Sequence, residues 1–234
     1  MTGRSTGLEA AFYDAWYDSS RGRWTGETEY ALLRQLLLPE AGERLLDVGC
    51  GTGWFTRRFA GDGCLATGLD RNAEWLAYAR KRSMGGHYVQ GDALALPFSD
   101  ASFDHVVSVT ALCFVADWSG AMREIVRVSR KRFAIGLLHR HGLLYWHKGR
   151  HGGSGAYRGA HWHTRQEVQT AMADLPVSDL RFSYAVMLPS GSGMARLVEQ
   201  CLPDNWSLGS FMVVSGTCRA RGHGISDQAA RALP

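Results

Sequence analysis

Apolar residues recur along the chain in two patterns, and each pattern predicts one type of secondary structure. Short continuous apolar runs, bounded by glycine, proline or charged residues, predict buried strands. Stretches with apolar residues three and four positions apart predict helices between those strands. The predicted strands are 44–49, 64–70, 87–92, 103–110 and 132–139, and the predicted helices between them are 54–61, 73–82 and 118–129.

The alternation of strands and helices predicts a doubly wound α/β sheet. A helix between two strands implies a right-handed crossover, which makes the two strands parallel. Two late apolar runs, 181–188 and 211–219, predict an antiparallel pair at the sheet edge. The predicted fold is therefore Rossmann-like, with a mostly parallel seven-stranded sheet, helices on both faces and an antiparallel edge strand.

Two segments do not follow this alternation. Residues 8–38 have helical spacing and predict N-terminal cover helices. Residues 140–163 are rich in glycine, histidine and arginine and predict an irregular insertion, which we expect to form part of a substrate lid. Thr164 and Glu167 follow with the spacing of a capping box, so a helix should begin there.

Length and composition are typical of a protein with a sizeable core. The chain has 234 residues, of which 45% are hydrophobic, and we expect one domain over residues 1–219 with a flexible tail at 220–234. Its five cysteines include no Cys-x-x-Cys pair, which favours a reducing, cytoplasmic location without a zinc site. No apolar stretch approaches the ~20 residues that cross a bilayer, and the N-terminal residues predict no signal peptide.

Charge is distributed unevenly along a chain whose net charge is only +4. Residues 125–166 contain no Asp or Glu, but they contain nine Arg or Lys and six of the nine histidines. Ordinary protein surfaces mix both signs, so this window predicts a positive patch that attracts anions.

A glycine-rich turn, LLDVGCGTGW at 45–54, follows the first predicted strand. The dinucleotide fingerprint G-x-G-x-x-G would need a third glycine where Trp54 stands, and Asp47 would repel a phosphate. The acids Asp70 and Asp92 end the next two strands, and parallel strand ends meet in one crevice. A tight turn without a ligand would not require these acids. The turn therefore predicts a pocket for a cationic or zwitterionic cofactor.

The order and spacing of three motifs resemble the class I S-adenosylmethionine-dependent methyltransferases, in the small type 11 subgroup. The motifs are LLDVGCGTGWFTRRFA, GLDRN and QGDALALPFSDASFDHVVSV, and the resemblance covers about residues 12–138. It implies that S-adenosylmethionine is the cofactor and S-adenosylhomocysteine the product.

The resemblance also implies roles for individual residues. Asp47, Gly49, Cys50 and Gly51 would lie at the methionine half of the cofactor, and Thr110 would close the pocket near the sulfonium. Asp70 would accept the ribose hydroxyls, with Arg71 flanking the ribose or adenine, and Asp92 and the Ala93 amide would bind the adenine. From the cover segment FYDAWYDSSRGRW, the candidates are Tyr17, Arg21 and Trp24, although Tyr17 and Trp24 could instead be core residues.

The insertion supplies the candidate substrate residues. Tyr145, Trp146, Tyr157 and Trp162 would contact a planar or apolar acceptor. Arg140, Arg158 and the histidines His161 and His163 would bind an anionic end. His139, at the end of the fifth strand, is the candidate general base. His161 and His163 have the spacing of a metal pair on a strand, but no nearby carboxylate or cysteine cluster supports one, so no metal is predicted.

The identity of the methyl acceptor stays open at this stage. A small aromatic or carboxylate-bearing metabolite is the first candidate, and a quinone-type or lipid acceptor is the second. The basic window also permits an RNA acceptor, although the small net charge speaks against it, and no DNA acceptor is expected because no Asn-Pro-Pro-Tyr-type run follows the fourth strand. The remaining alternative is a cofactor-binding partner subunit without catalysis.

Overall fold

A computed structural model describes residues 6–83 and 86–219. Its helices and strands alternate as the sequence predicts. In chain order they are α1 (Thr6–Trp16), α2 (Ser20–Leu37), β1 (Arg44–Val48), α3 (Trp54–Gly61), β2 (Leu65–Asp70), α4 (Ala73–Arg82), β3 (His87–Gln90), β4 (Phe103–Val109), α5 (Trp118–Val128), β5 (Ser129–Leu138), α6 (Arg165–Met172), β6 (Val177–Ala185), α7 (Gly193–Cys201) and β7 (Phe211–Cys218).

The strands form one seven-stranded sheet in the order β3-β2-β1-β4-β5-β7-β6. The first five strands in sequence are parallel, whereas β7 is antiparallel to both β5 and β6. The Rossmann-like fold with an antiparallel pair at the edge is confirmed. Strand order reverses beside β1, because β2 and β4 lie on its two sides, so ligands of this fold bind at the carboxyl ends of these strands.

The core lies on both faces of the sheet. Adjacent residues of one strand point to opposite faces, and both faces are covered here: Leu45 packs with the α2 and α3 residues, while Leu46 packs with the α5 residues. Because both faces of the sheet are covered, the buried parts of the five parallel strands carry mostly apolar residues. This is why the short apolar runs predict these strands well.

The N-terminal segment consists of two helices, α1 and α2, joined by a turn. The chain turns after Trp16, and Ser19 caps α2 by accepting a hydrogen bond from the Gly22 amide at 3.0 Å. Serine is a preferred N-cap residue because its hydroxyl satisfies an amide that has no partner inside the helix. The turn lets α1 and α2 face the same edge of the sheet from different directions.

Later elements differ from the prediction in their boundaries. Strand β5 begins at Ser129, and strand β6 begins at Val177. In β6, a register shift between Ser178 and Arg181 interrupts the apolar pattern. Helix α7 was not predicted from the sequence. Its apolar residues Met194 and Leu197 are exposed in the structure.

Two further predictions concern the segments around these elements. The capping box is confirmed: Thr164 accepts from the Glu167 amide, and Glu167 accepts from the Thr164 amide. The predicted tail at 220–234 lies outside the described residues. Within the described part of the chain, no helix combines the length and the apolar character needed to cross a membrane.

Candidate active site

A cavity of about 1020 Å³ opens at the carboxyl ends of β1, β2 and β4. Its wall has two parts. We call residues 47–54, together with the strand-end residues Asp70, Arg71, Asp92, Ala93 and Thr110, the floor. We call α1, α2 and the insertion at 140–163 the roof, because residues from all three cover the floor.

Eleven of the twelve predicted cofactor residues line this cavity. They are Tyr17, Arg21, Asp47, Gly49, Cys50, Gly51, Asp70, Arg71, Asp92, Ala93 and Thr110. The structure therefore brings together residues from four strand ends and the cover helices. Trp24 is the exception, since it is partly buried against the core residues between α2 and the sheet.

The glycine turn of the floor is held in a conformation that favours glycine. Gly49, Gly51 and Gly53 have φ values of +75°, +55° and +77°. The amides of Gly49 and Cys50 both donate to the Leu69 carbonyl, at 2.7 and 2.9 Å. A Cβ on Gly49 would overlap the Ala111 side chain, so this turn also requires the absence of a side chain.

Three acids lie along the floor in different environments. Asp70 accepts hydrogen bonds from the Gly51 and Asn72 amides, both at 2.8 Å, and keeps further lone pairs for a ligand. Asp92 is exposed and accepts from the Leu94 amide at 3.0 Å. Asp47 is buried and accepts from the Thr56 hydroxyl at 2.6 Å. Burial, together with the nearby Asp70 charge, raises the pKa of Asp47 to about 7.

One residue of α1 fastens the roof to the floor. Asp14 is 5% exposed and accepts hydrogen bonds from Arg57 and from the Thr52 hydroxyl, both at 2.9 Å. Its second oxygen pairs with Arg82 at 3.1 Å. Asp14 thus joins α1 to α3, to α4 and to the glycine turn.

Aromatic packing makes a second connection between roof and floor. The Tyr17 ring stacks on Trp54, the first residue of α3, with centroids 4.5 Å apart and planes 16° apart. A Cβ on Gly26 would lie 2.8 Å from the Tyr17 ring and 2.9 Å from the Trp54 ring. The absence of a side chain at Gly26 therefore lets the backbone of α2 pack directly against the stacked Tyr17 and Trp54 rings.

Helix α2 presents polar residues to the cavity on one stripe. Arg21, Thr25 and Glu29 are four residues apart and all line the wall. Burial raises the pKa of Glu29 to about 8. The Glu29 carboxylate accepts no hydrogen bond and forms no ion pair with any residue of 6–83 or 86–219.

Helix α1 adds an aromatic stripe beside Glu29. Glu9, Phe12, Tyr13 and Trp16 line the cavity at helical spacing. Helical spacing in the sequence shows that Phe12, Tyr13 and Trp16 share one helix face. It does not show that this face or Glu29 meets the cavity, so neither was predicted to line the site.

The insertion reaches the cavity at Tyr157, one of its predicted aromatic residues, and at three residues that were not predicted. These are Leu144, Lys148 and Ala156. Burial and the nearby Glu29 charge raise the pKa of Tyr157 to about 12. Trp162 is instead buried in the core, where it packs against Tyr145 at 5.4 Å between ring centroids.

The other predicted substrate side chains of the insertion point to solvent. Arg140 and Arg158 are exposed, and Trp146 is 60% exposed beneath the Arg150 guanidinium. None of these three residues lines the cavity. A glycine-rich segment turns its charged side chains outward, because their burial would require partners.

The predicted histidines lie behind the cavity wall. His139 is 1% exposed, and its Nδ1 lies 2.9 Å from the Gly209 carbonyl, so it does not face the cavity as a general base would. His163 pairs with His139 through the backbone and is fully buried, which lowers its pKa to about 3. His161 packs on Trp118 and lies 3.7 Å from Glu167. Within the described ranges, no group of three His, Cys, Asp or Glu residues surrounds a metal-sized site.

The acid-free window is partly neutralised in space. Three of its cations bind carboxylates from outside the window: Arg127 binds Glu124 and Asp100, Arg130 binds Asp104, and Lys131 binds Glu43. Arg132 donates to the Leu36 carbonyl at 3.3 Å. The cations of β5 therefore stabilise the sheet, and the window does not form one continuous positive patch.

Comparison with known proteins identifies the family. A family model described as a methyltransferase domain matches residues 46–133, which include the glycine turn and the three floor acids. An uncharacterized Mycobacterium bovis protein is 37% identical over 223 residues, covering 92% of this chain and 74% of the relative. The chain belongs to the class I S-adenosylmethionine-dependent methyltransferases, type 11.

Two more similarities place the methyltransferase among known enzymes. A malonyl-[acyl-carrier protein] O-methyltransferase of Erwinia pyrifoliae is 42% identical over 87 residues, which are 37% of this chain and 33% of the relative. The chain therefore spans about a third of that relative's length. A Thermotoga maritima S-adenosylmethionine-dependent methyltransferase has a TM-score of 0.73 and 24% identity, covering 91% of this chain and 98% of that one, which supports the fold.

S-adenosylmethionine is the cofactor of the methyltransferase, and the floor fits it. The turn at Gly49 and Gly51 leaves room for close backbone approach, and Asp70 offers acceptor lone pairs beside it. The wall holds five acids and three cations, and the raised pKa values of Asp47 and Glu29 leave the two signs close to balance at neutral pH. The acids are Glu9, Glu29, Asp47, Asp70 and Asp92, and the cations are Arg21, Arg71 and Lys148.

Proposed function

We propose that the protein transfers the methyl group of S-adenosylmethionine to a small-molecule acceptor with an aromatic or otherwise apolar body. The observation that carries this proposal is the single cavity, in which the cofactor floor is continuous with an aromatic roof. Its volume of about 1020 Å³ lies at the upper end of the usual range for small-molecule sites, which leaves room for the cofactor and an acceptor together.

The floor residues have proposed roles in holding the cofactor. Asp70 accepts the ribose hydroxyls, with Arg71 beside it, and Asp92 and the Ala93 amide bind the adenine. The turn from Asp47 to Gly51 holds the methionine half, with Thr110 at the pocket end. These roles combine the position of each residue on the cavity wall with the family resemblance.

The cofactor supplies an electrophilic methyl group on a positively charged sulfur. The chain then has to align the acceptor with that methyl group and exclude water. Phe12, Tyr13, Trp16 and Tyr157 of the roof supply an apolar surface against which a planar acceptor can stack.

A carboxylate acceptor is the second candidate. The similarity to a malonyl-[acyl-carrier protein] O-methyltransferase favours it, and so does Lys148, a cation on the cavity wall in the insertion. Arg140 and Arg158 give it no support, because neither lines the cavity.

The test of the proposed function uses cofactor with a radiolabelled methyl group. Calorimetry should show binding of S-adenosylhomocysteine and little binding of NAD. Incubation with pooled phenols, aromatic amines and aromatic carboxylates, followed by mass analysis, should then show which pool gains a methyl group. Tight NAD binding without binding of S-adenosylhomocysteine would contradict the proposal.

A further inference from the structure

Glu29 is the one carboxylate facing the cavity from α2. The floor acids Asp47, Asp70 and Asp92 have proposed roles toward the cofactor, but none of those roles involves Glu29. The side chain projects from the roof on the same stripe as Arg21 and Thr25. It therefore belongs to the roof, whose aromatic residues form the proposed acceptor surface.

Three tyrosines from three parts of the roof line the cavity together with Glu29. Burial raises the pKa of Tyr13 on α1, of Tyr17 after α1 and of Tyr157 in the insertion, and the charge of Glu29 raises each pKa further. All three phenols therefore lie within electrostatic range of one carboxylate.

The position of Tyr17 relates this group to the floor. The Asp47 charge also acts on the Tyr17 phenol, which stacks on Trp54 directly after the glycine turn. Glu29 and the turn from Asp47 to Gly51, which would hold the methionine half of the cofactor, line the same cavity.

Cations near Glu29 do not neutralise it. Arg21 acts on the Tyr157 phenol, and Lys148 lines the cavity from the insertion. Neither forms an ion pair with Glu29 in the described part of the chain. A carboxylate held in an apolar site without a partner is a stronger base than one in water, because burial disfavours its charged form.

A stronger base is useful for some acceptors and not for others. A hydroxyl or an ammonium group must lose a proton when its oxygen or nitrogen gains a methyl group. A carboxylate acceptor has no proton to lose at neutral pH, so its methylation does not need a base. The roof therefore discriminates between the two acceptor classes left open above.

Building on the proposed methyl transfer, we propose that Glu29 is its general base and that the acceptor is a phenol or an amine on an aromatic body. The acceptor's O–H or N–H bond breaks, its proton moves to a Glu29 carboxylate oxygen, and the electron pair stays on the acceptor atom. That atom forms the new bond to the methyl carbon. The carbon–sulfur bond breaks with its electron pair on sulfur, so the charges of the sulfonium and of Glu29 both disappear.

The first experiment measures Glu29 directly and requires no acceptor. The protein is labelled with carbon-13 at its glutamate carboxyls and titrated by NMR as its S-adenosylhomocysteine complex. The Glu29 signal is assigned by its absence in Glu29→Gln. We expect the Glu29 signal to titrate near pH 8. Titration in the ordinary range of glutamate would overturn the proposal even if no acceptor were known.

The second experiment measures methyl transfer to probe phenols, aromatic amines and aromatic carboxylates. Glu29→Gln should lower kcat about 100-fold and remove the rise of activity with pH, because the proton acceptor is gone. Its affinity for S-adenosylhomocysteine should be unchanged, and Glu29→Asp should keep part of the activity. Glu27→Gln is the matched control, since Glu27 is on the same helix but pairs with Arg58 outside the cavity.

The outcomes separate this inference from the function on which it rests. If wild-type protein binds no S-adenosylhomocysteine, the proposed function fails. If Glu29→Gln weakens that binding and leaves kcat intact, Glu29 binds the cofactor instead and the base role is overturned. Methylation of carboxylates alone, or an unchanged kcat and pH profile in Glu29→Gln, would also overturn it.

Discussion

The floor and the roof of the cavity are built in different ways. The floor is positioned by strand ends and by hydrogen bonds of the backbone. The Gly49 and Cys50 amides donate to the Leu69 carbonyl, and the Gly51 amide donates to the Asp70 carboxylate. The roof consists of side chains from α1, α2 and the insertion. Sheet topology therefore determines the positions of the floor residues, whereas packing determines those of the roof.

This difference explains why substrate specificity can vary while the cofactor site stays the same. Parallel pairing aligns β1 with β2 and β2 with β3, so the ends of these strands meet whatever covers them. A roof of aromatic side chains can change its shape without changing any strand pairing. Substitutions in the two regions should accordingly have different effects.

The largest effect is expected for Gly49→Ala in the floor. Alanine at a positive φ costs about 1–2 kcal/mol, and the overlap with Ala111 adds about 1–3 kcal/mol. Binding of S-adenosylhomocysteine should be lost or the protein should unfold at a much lower temperature. Gly42→Ala is the control, since Gly42 has a φ of +85° with nothing near its absent Cβ. Equal losses of S-adenosylhomocysteine binding or of thermal stability in the two variants would show that the overlap with Ala111 is unimportant.

Asp70→Ala should weaken binding of S-adenosylhomocysteine by about 1–3 kcal/mol. The substitution removes the carboxylate that faces the proposed ribose position and also the acceptor of the Gly51 amide. Calorimetry of Asp92→Ala provides the comparison, because Asp92 is exposed and should matter less. A larger loss in Asp92→Ala would reverse the two proposed roles.

Asp14→Asn should loosen the roof and leave the sheet intact. The neutral side chain loses its charge-assisted bonds to Arg57 and Arg82, and we expect a loss of about 2 kcal/mol in local stability. Hydrogen exchange should rise over α1 and remain slow in β1 and β4. If exchange rose equally in the central strands, Asp14 would support the whole fold and not the roof alone.

The pH dependence of stability should distinguish Glu29 from its neighbour Glu27. Folding raises the pKa of Glu29 from 4.5 to about 8, because burial favours the neutral carboxyl. The stability that this group contributes is fully present below pH 4.5 and is lost as the pH rises through 8. Glu29→Gln should therefore raise the Tm at pH 9, by about 2–4 °C for each kcal/mol that the buried charge costs. At pH 5 the rise in Tm should be much smaller. A pH-independent shift in thermal denaturation, or the same shift in Glu27→Gln, would contradict the assignment.

The smallest effect is expected for Arg158→Gln. Its side chain is exposed and does not line the cavity, so binding of S-adenosylhomocysteine should not change in calorimetry. Lys148→Gln is the informative partner, because Lys148 does line the cavity. A loss of S-adenosylhomocysteine binding only in Arg158→Gln would show that the exposed part of the insertion contacts the cofactor.

The sequence was sufficient to predict the fold and the floor because both depend on local patterns. The apolar run before Gly49 and the acids Asp70 and Asp92 occur at fixed places relative to the strands. The predicted roof residues depended on residue type alone, and Trp146 and Arg158 are aromatic or basic but face solvent. Glu29 was missed because only three-dimensional packing shows that its helix face meets the cavity.

The roof itself is attached unequally. Asp14 and the Tyr17–Trp54 stack fasten its helices to α3 and α4. Across the described part of the chain, no hydrogen bond joins residues 146–159 to a residue outside 142–160. Segments with only local hydrogen bonds open at the lowest free-energy cost. Residues 146–159 should therefore act as the gate of the cavity. Acceptor entry and departure of S-adenosylhomocysteine should then share one opening rate. That rate should set the upper limit of turnover.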